Sequence, residues 1–97
     1  MIIRIVKMTF QPESVEAFLA NFEKNKAAIR SFPGCNRLEL LQEKGKGNVY
    51  FTYSWWEQET DLENYRQSEL FRGVWQLTKT FFAAKPEAWS LENRVTL

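Results

Sequence analysis

Four stretches of the chain have the apolar alternation and the β-branched or aromatic content that predict β-strands. They are residues 2–10, 35–43, 49–56 and 87–95. The third stretch, VYFTYSWW, carries bulky side chains at both alternating sets of positions. A sheet with one face in water would leave half of those aromatics exposed. We therefore expect both faces of this strand to be covered.

A first amphipathic helix is predicted between the first two strands. Pro12 can open it, because the first turn of a helix does not need the N–H that proline lacks. The breaker pair Pro33-Gly34 ends it. The apolar residues between these limits recur at helical spacing and predict one buried stripe. They are Val15, Phe18, Leu19, Phe22 and Ile29.

The second helical region predicts a bend, because one straight helix could not bury all of its apolar residues on one sheet. Leu62 and Tyr65 point roughly opposite to the apolar set that begins at Leu70. Ser68 is a favourable N-cap residue, so we predict two helices over residues 60–67 and 69–83.

Two residues of the same region predict local detail. Thr60, followed three positions later by Glu63, has the pattern of a capping box at the start of the first of these helices. Gly73 lies inside the second, where glycine costs about 1 kcal/mol relative to alanine. We expect a ligand or a partner chain to approach closely at that glycine.

The predicted order βαββαβ favours an α+β, ferredoxin-like sandwich with a four-stranded antiparallel sheet, formed by residues 1–97 as a single domain. The helices would cover one face of the sheet. A homodimer that packs sheet on sheet through the open face is the simplest way to cover the other.

Composition narrows the function classes. The formal net charge is +1, which gives no electrostatic reason to expect nucleic-acid binding. The chain has no histidine and one cysteine, so we expect no metal and no cofactor. No apolar run approaches the roughly 20 residues that span a bilayer, and no signal peptide is visible. We expect a soluble, cytoplasmic protein without membrane contact.

Several features together resemble the antibiotic biosynthesis monooxygenase (ABM) domain family of dimeric α+β barrels. They are the opening strand, Pro12 and its helix, the step Phe32-Pro33-Gly34-Cys35, Trp56 at the end of the third strand, and the run of residues 62–71 with its "Tyr-Arg-x-Ser-Glu" core. The resemblance implies a dimer. For some members of the family it also implies oxygenation of phenolic or quinol substrates without metal or flavin.

The chain also departs from the family pattern. Many similar relatives carry histidine where Tyr65 stands, and often at Leu70 or Phe71. The haem-degrading branch uses an asparagine, a tryptophan and a histidine ligand, at positions that fall near Val6, Tyr65 and Trp75. Because the histidine ligand is missing, the resemblance does not extend to haem degradation.

Cofactor-free oxygenation needs an apolar pocket, a group that accepts a proton from an electron-rich phenol, and polar contacts to the resulting anion. Tyr65, Arg72 and Glu69 are the candidate catalytic residues, as hydrogen-bonding group, anion-stabilising cation and base. The candidate substrate-binding walls are Trp56, Phe71 and Trp75.

Each candidate has a purely structural alternative. Tyr65 and the three wall residues are also typical of an ordinary core, and Arg72 could form an exposed pair with Glu69 or Glu63. Arg4, on the first predicted strand, could bind an anion or face the rim of a dimer.

Two functions stay open at this point. The first is a cofactor-independent monooxygenase that uses O2 to oxidise a small aromatic substrate of quinol or polyketide type. The second is a non-catalytic dimeric module that binds a small molecule or serves as a scaffold. An open cavity with Arg72 pointing into it would favour ligand binding, and a space filled by side chains would favour the scaffold.

Overall fold

A computed structural model describes residues 1–97 and shows an antiparallel sheet with three helices packed on one face. The elements in chain order are β1 (Ile2–Thr9), a 3₁₀ turn (Pro12–Ser14), α1 (Val15–Arg30), β2 (Cys35–Gln42), β3 (Val49–Trp56), α2 (Glu59–Arg66), α3 (Glu69–Thr78), a second 3₁₀ turn (Lys79–Phe81) and β4 (Glu87–Glu92). The strands lie in the order β2-β3-β1-β4, and all neighbours are antiparallel. This confirms the predicted ferredoxin-like α+β fold.

The apolar core lies between the sheet and the helices, in two clusters. One is centred on Phe10 and Phe18, whose rings stack with their centroids 4.1 Å apart. The other joins Cys35, Trp56 and Leu62, where the loop after α1 and the start of α2 meet the end of β3. Phe10 and Trp56 are completely buried. None of the helices is long and apolar enough to cross a bilayer.

The opposite face of the sheet has no helix over it and carries apolar side chains together with two ion pairs, Lys7–Glu87 and Arg37–Glu39. Residues directly across an antiparallel pair share a face, so Ile5 lies between Tyr53 and Trp89 on this side. Trp89 is 43% exposed and Leu91 is 45% exposed. The predicted covering of both faces of β3 is therefore not provided by this chain alone.

The second helical region is split where the sequence predicts. α2 ends at Arg66 and α3 begins at Glu69. The Ser68 hydroxyl donates a hydrogen bond to the Tyr65 carbonyl (2.6 Å) and accepts one from the Phe71 N–H (3.1 Å). This one side chain satisfies backbone groups on both sides of the bend, so it fixes the angle at which the two helices meet.

The predicted cap at Thr60 is wrong. The helix begins earlier, at Glu59, with Gln58 as its N-cap residue. The Asp61 carboxylate accepts a hydrogen bond from the Gln58 backbone N–H (3.2 Å), which is the role that the sequence pattern assigned to Glu63. The Glu63 side chain instead accepts from the Gln67 amide (2.9 Å).

The first helical segment begins with a 3₁₀ turn at Pro12–Ser14, and its α-helix starts at Val15. The predicted ends of the last helix and the last strand lie three or more residues too far along the chain, because contacts distant in the chain set them. α3 stops at Thr78, since Phe82 then turns to pair with Phe10 at the end of β1. β4 stops at Glu92, which pairs with Ile2, so no residue of β1 remains beyond it.

Substitution by alanine should change the free energy of unfolding in opposite directions at two glycines. Gly34 has a positive φ of 87°, and a Cβ there would collide with the Asp61 side chain. Gly34→Ala should therefore lower the free energy of unfolding by about 1–3 kcal/mol. A Cβ at Gly73 would meet no atom of this chain, so Gly73→Ala should raise it by up to about 1 kcal/mol. Urea unfolding of both variants measures these differences.

The Gly73 variant also tests the close approach that the sequence suggested. No group within the chain comes near this glycine. A loss of stability in Gly73→Ala would show that another molecule contacts it, and a gain would show that the position is free.

Candidate active site

A cavity of about 270 Å³ lies between the inner face of the sheet and the three helices, and most of its lining is apolar. β1 and β3 form its floor, α1 supplies Phe18 and Phe22, and the α2–α3 corner closes one side. A largely apolar cavity with a few polar groups is the usual form of a small-molecule site. The space beneath the corner is therefore open to a ligand rather than filled by side chains.

The predicted wall residues are brought together as a continuous row of aromatic rings. Trp56 stacks on Tyr65 with ring centroids 5.0 Å apart, and Tyr65 meets Phe71 edge to face at 5.2 Å. Phe71 in turn stacks on Trp75 at 5.8 Å. All four line the cavity. Because the bend at Ser68 turns the chain between Tyr65 and Phe71, residues of two helices contribute to one wall.

Trp56 anchors this wall to the sheet. Its indole N–H donates a hydrogen bond to the Ser54 hydroxyl (3.0 Å), and both residues point to the inner face of β3. The bond satisfies a polar group that would otherwise be buried without a partner. One face of the ring therefore offers Tyr65 a fixed surface to stack on.

Tyr65 is a neutral hydrogen-bond donor. Burial raises the pKa of its hydroxyl well above the ordinary value, and the nearby Cys35 raises it further. No hydrogen bond within the chain involves this hydroxyl, and only the Trp55 indole N–H is both buried and unpaired, so the hydroxyl is accessible. A phenol with a raised pKa does not act as a base near neutral pH, but it can donate a hydrogen bond to an anion.

Two arginines also line the cavity. Arg4, on β1, donates a hydrogen bond from Nη1 to the Ser90 hydroxyl (2.9 Å) on β4. Arg66 ends α2 and pairs loosely with Glu63 (3.6 Å). Burial and the neighbouring Arg66 lower the pKa of the Arg4 guanidinium, and Glu63 acts in the opposite direction. The two cations are therefore close enough to repel each other.

Arg72 and Glu69, the other two candidate catalytic residues, do not line the cavity. Both side chains are exposed on α3. Neither takes part in an ion pair, so the predicted pairing of Arg72 with Glu69 or Glu63 is absent. The structure thus assembles Tyr65 with the three wall residues and separates them from Arg72 and Glu69.

Neither cavity arginine was among the predicted catalytic or substrate-binding residues, although Arg4 was considered as an anion-binding residue and the sequence contains a signal for each. Arg4 alternates with Val6 and Met8 on a strand face that is otherwise apolar. Arg66 stands four residues after Leu62 and therefore on the same face of α2. A charge at a position whose neighbours are buried indicates either an ion pair or a binding site.

No group of three or more His, Cys, Asp or Glu side chains that could hold a metal ion is present. Among the residues that line the cavity, the only ionisable side chains are Arg4, Arg66 and Tyr65. The cavity can therefore offer positive charge and hydrogen-bond donors to a ligand, and its walls contain no carboxylate that could accept a proton.

Comparisons with known proteins point to one family. The family model described as antibiotic biosynthesis monooxygenase matches residues 1–75. No curated protein matches the chain.

Similar solved structures share the fold at low sequence identity. A conserved protein from Methanosarcina mazei Go1 has a TM-score of 0.90 and 20% identity, with 97% of this chain and 94% of that chain covered. A structure described as an antibiotic biosynthesis monooxygenase has a TM-score of 0.91 and 15% identity over 98% and 100% of the two chains. SnoaB from Streptomyces nogalater, a cofactor-independent oxygenase solved as a point mutant, has a TM-score of 0.85 and 20% identity over 99% and 95%.

Proposed function

The chain belongs to the antibiotic biosynthesis monooxygenase family, and we propose that it oxidises a small aromatic substrate of quinol or polyketide type with O2, without a metal or an organic cofactor. The observation that carries the proposal is the cavity of about 270 Å³, with its row of aromatic rings and its accessible Tyr65 hydroxyl. The oxygenase description of SnoaB, which has the same fold, supports it.

The substrate itself supplies the electrons. An anthrone-type methylene first loses a proton to solvent, because the cavity lining has no histidine or carboxylate to accept it, and the carbanion forms a C–O bond with O2. Protonation gives a hydroperoxide, which loses water and leaves a carbonyl. The balance is one CH2 and one O2 converted to one C=O and one H2O, so no outside reductant is needed.

The residues of the cavity have three tasks in this reaction. Trp56, Phe71 and Trp75 exclude water and hold the substrate rings by stacking. Tyr65 donates a hydrogen bond to the substrate oxygen on which negative charge develops, which stabilises the anion that reacts with O2. Because its hydroxyl stays protonated, it keeps this role throughout the reaction.

A second candidate function is binding without catalysis. The observation that favours it is the absence of histidine and carboxylate side chains from the cavity lining. A dimeric module of the same fold could bind a small aromatic compound in the same cavity.

Oxygen consumption distinguishes the two functions. Metal-stripped protein, kept in chelator, is assayed with an oxygen electrode against anthrones and hydroquinones. Uptake above the rate without protein, with product carbonyl formed in equal amount to O2 consumed, supports the oxygenase. If no compound is consumed, the oxygenase is wrong, and quenching of tryptophan fluorescence by the same compounds then supports the binding module.

We also propose that the chain forms a homodimer through the open face of the sheet. Trp89 and Leu91 are about half exposed there. A second copy would cover these apolar side chains.

A charge placed in the centre of this face should separate the dimer. Ile5→Lys puts an ammonium group between Tyr53 and Trp89, where a sheet-on-sheet interface would bury it. Light scattering should give a dimer mass for the parent protein at micromolar concentration and a monomer mass for Ile5→Lys. The matched control is Leu77→Lys, at an apolar position 47% exposed on α3, which should stay dimeric. A monomeric parent protein would contradict the proposal.

A further inference from the structure

The charge of the cavity is unbalanced. Arg4 and Arg66 line it. The carboxylate that acts on both of them is Glu63, which pairs with Arg66 at 3.6 Å and lies outside the lining. Two guanidinium groups and one carboxylate leave about one uncompensated positive charge beside an apolar space. The apolar side chains that cover part of Arg4 reduce the screening of its charge by water, whereas the Arg66 side chain is 45% exposed and is screened more fully.

The arginines are held from opposite sides of the cavity. Arg4 is fixed on the sheet by the bond from its Nη1 to Ser90, which uses one of the five N–H donors of its guanidinium group. Arg66 extends from the last turn of α2, one residue after Tyr65. Three donor groups of the site therefore come from two elements and line the same cavity: the Arg4 guanidinium from β1, and the Tyr65 hydroxyl and the Arg66 guanidinium from α2.

Apart from Glu63, which pairs with Arg66 from outside the lining, no acid competes for the arginines within the cavity. α1 contributes Phe18, Phe22 and Ile29 to the lining, and β2 contributes Leu38. α3 contributes apolar side chains and Thr78, whose hydroxyl already donates to the Val74 carbonyl (2.7 Å). An anionic ligand would be the only acceptor in the cavity that could pair with both arginines.

We propose, resting on the oxygenase function above, that the substrate is an acidic phenol or enol bound as its oxyanion, with that oxygen directed at Arg4 and Arg66, and that the two arginines replace a general base. The bound hydroxyl loses its proton to solvent because the anion is stabilised where it forms. This removes the need for a histidine or a carboxylate in the cavity. It also restricts the substrate to rings whose hydroxyl ionises readily.

The sign of a pKa change tests this inference. Burial of a phenol in an apolar cavity disfavours its charged form and raises its pKa, whereas nearby cations lower it. If the arginines dominate, a bound phenol ionises at lower pH than the free phenol. A tenfold increase in the acid dissociation constant corresponds to a pKa lowered by one pH unit.

The probe is 4-nitrophenol, a single-ring phenol that ionises near neutral pH and whose phenolate absorbs visible light. Its absorbance is titrated against pH with and without saturating protein. We expect the acid dissociation constant of the bound phenol to be at least tenfold larger than that of the free phenol. 4-Nitroanisole, its methyl ether, cannot ionise and should bind at least tenfold more weakly than the phenolate.

Variants assign the effect to the arginines. Arg4→Gln and Arg66→Gln should each reduce the lowering of the pKa of bound 4-nitrophenol. The double variant should abolish or reverse this lowering. Arg4→Lys keeps the charge and should restore part of it. The matched control is Lys24→Gln, which removes one positive charge from an exposed position of α1 outside the cavity and should leave the change intact.

An unchanged or raised pKa of bound 4-nitrophenol would overturn the inference, as would a failure to bind at millimolar concentration or an undiminished change in the double variant. The outcome is independent of oxygen uptake. Ionisation without uptake on the anthrone panel would leave the anion site in place and reject the oxygenase. Oxygen uptake without a lowered pKa of bound 4-nitrophenol would support the oxygenase and reject the anion site.

Discussion

Trp56→Ala is expected to lower the free energy of unfolding by about 3–5 kcal/mol, because it removes a completely buried large side chain. The loss has three sources at this position. The ring packs in the cluster with Cys35 and Leu62, it stacks on Tyr65, and its N–H satisfies the Ser54 hydroxyl. Urea unfolding followed by far-UV circular dichroism measures the change, since the signal does not depend on the removed tryptophan.

The control for this prediction is Trp56→Phe. It keeps an aromatic ring at the end of β3 but loses the hydrogen bond to Ser54. We expect a smaller loss of stability than for alanine, because most of the packing with Tyr65 is retained. A loss below about 1 kcal/mol for Trp56→Ala would mean that the neighbouring side chains collapse into the space, and the ring would then not be the anchor of the wall.

The fold was predictable because its main signals are local. The alternation in β3 and the apolar stripe of α1 follow directly from strand and helix periods. The bend between α2 and α3 follows from Ser68, which caps whichever helix begins after it. The ends of α3 and β4 were misplaced because they depend on pairing with β1, and nothing near Phe82 or Glu92 in the sequence encodes that pairing.

The candidate site was predictable in part: residues close together in the chain could be placed, and residues that only the packed fold brings together could not. Tyr65, Phe71 and Trp75 lie within one short segment, so helical geometry and the bend suffice to bring them to one wall. The positive charge of the cavity comes from β1 and α2, which are far apart in the chain and meet only in the packed fold. Arg72 is near Tyr65 along the chain and was therefore predicted as the cation of the site, but it lies outside the cavity.

The same packing explains why an apolar cavity can persist beside two cations. Arg4 is neither paired with a carboxylate nor fully buried, and its bond to Ser90 on the edge strand keeps part of the guanidinium toward solvent. The aromatic wall makes the deeper part of the cavity apolar. A ligand with an apolar ring and one oxyanion matches both environments, the ring in the deeper part and the charge near the arginines.

Tyr65→Phe is expected to reduce kcat for oxygen uptake by about 10²-fold, the usual effect of removing one hydrogen-bond donor from a developing oxyanion. The substitution removes only the hydroxyl and leaves the ring stacked between Trp56 and Phe71. Binding of 4-nitroanisole, which tests the apolar cavity alone, should be nearly unchanged. Initial rates at saturating substrate, measured with the oxygen electrode, give the comparison.

The dependence of this loss on pH separates a donor from a base. Burial raises the pKa of Tyr65 above its ordinary value, so the hydroxyl is protonated at every pH from about 6 to 9, and the deficit of Tyr65→Phe should be constant across that range. If Tyr65 acted as a base, the deficit would grow toward high pH. The matched control is Tyr53→Phe, the same substitution on the open face of the sheet, which should retain the parental rate at each pH. A Tyr65→Phe protein as active as this control would show that the anion is stabilised by the arginines alone.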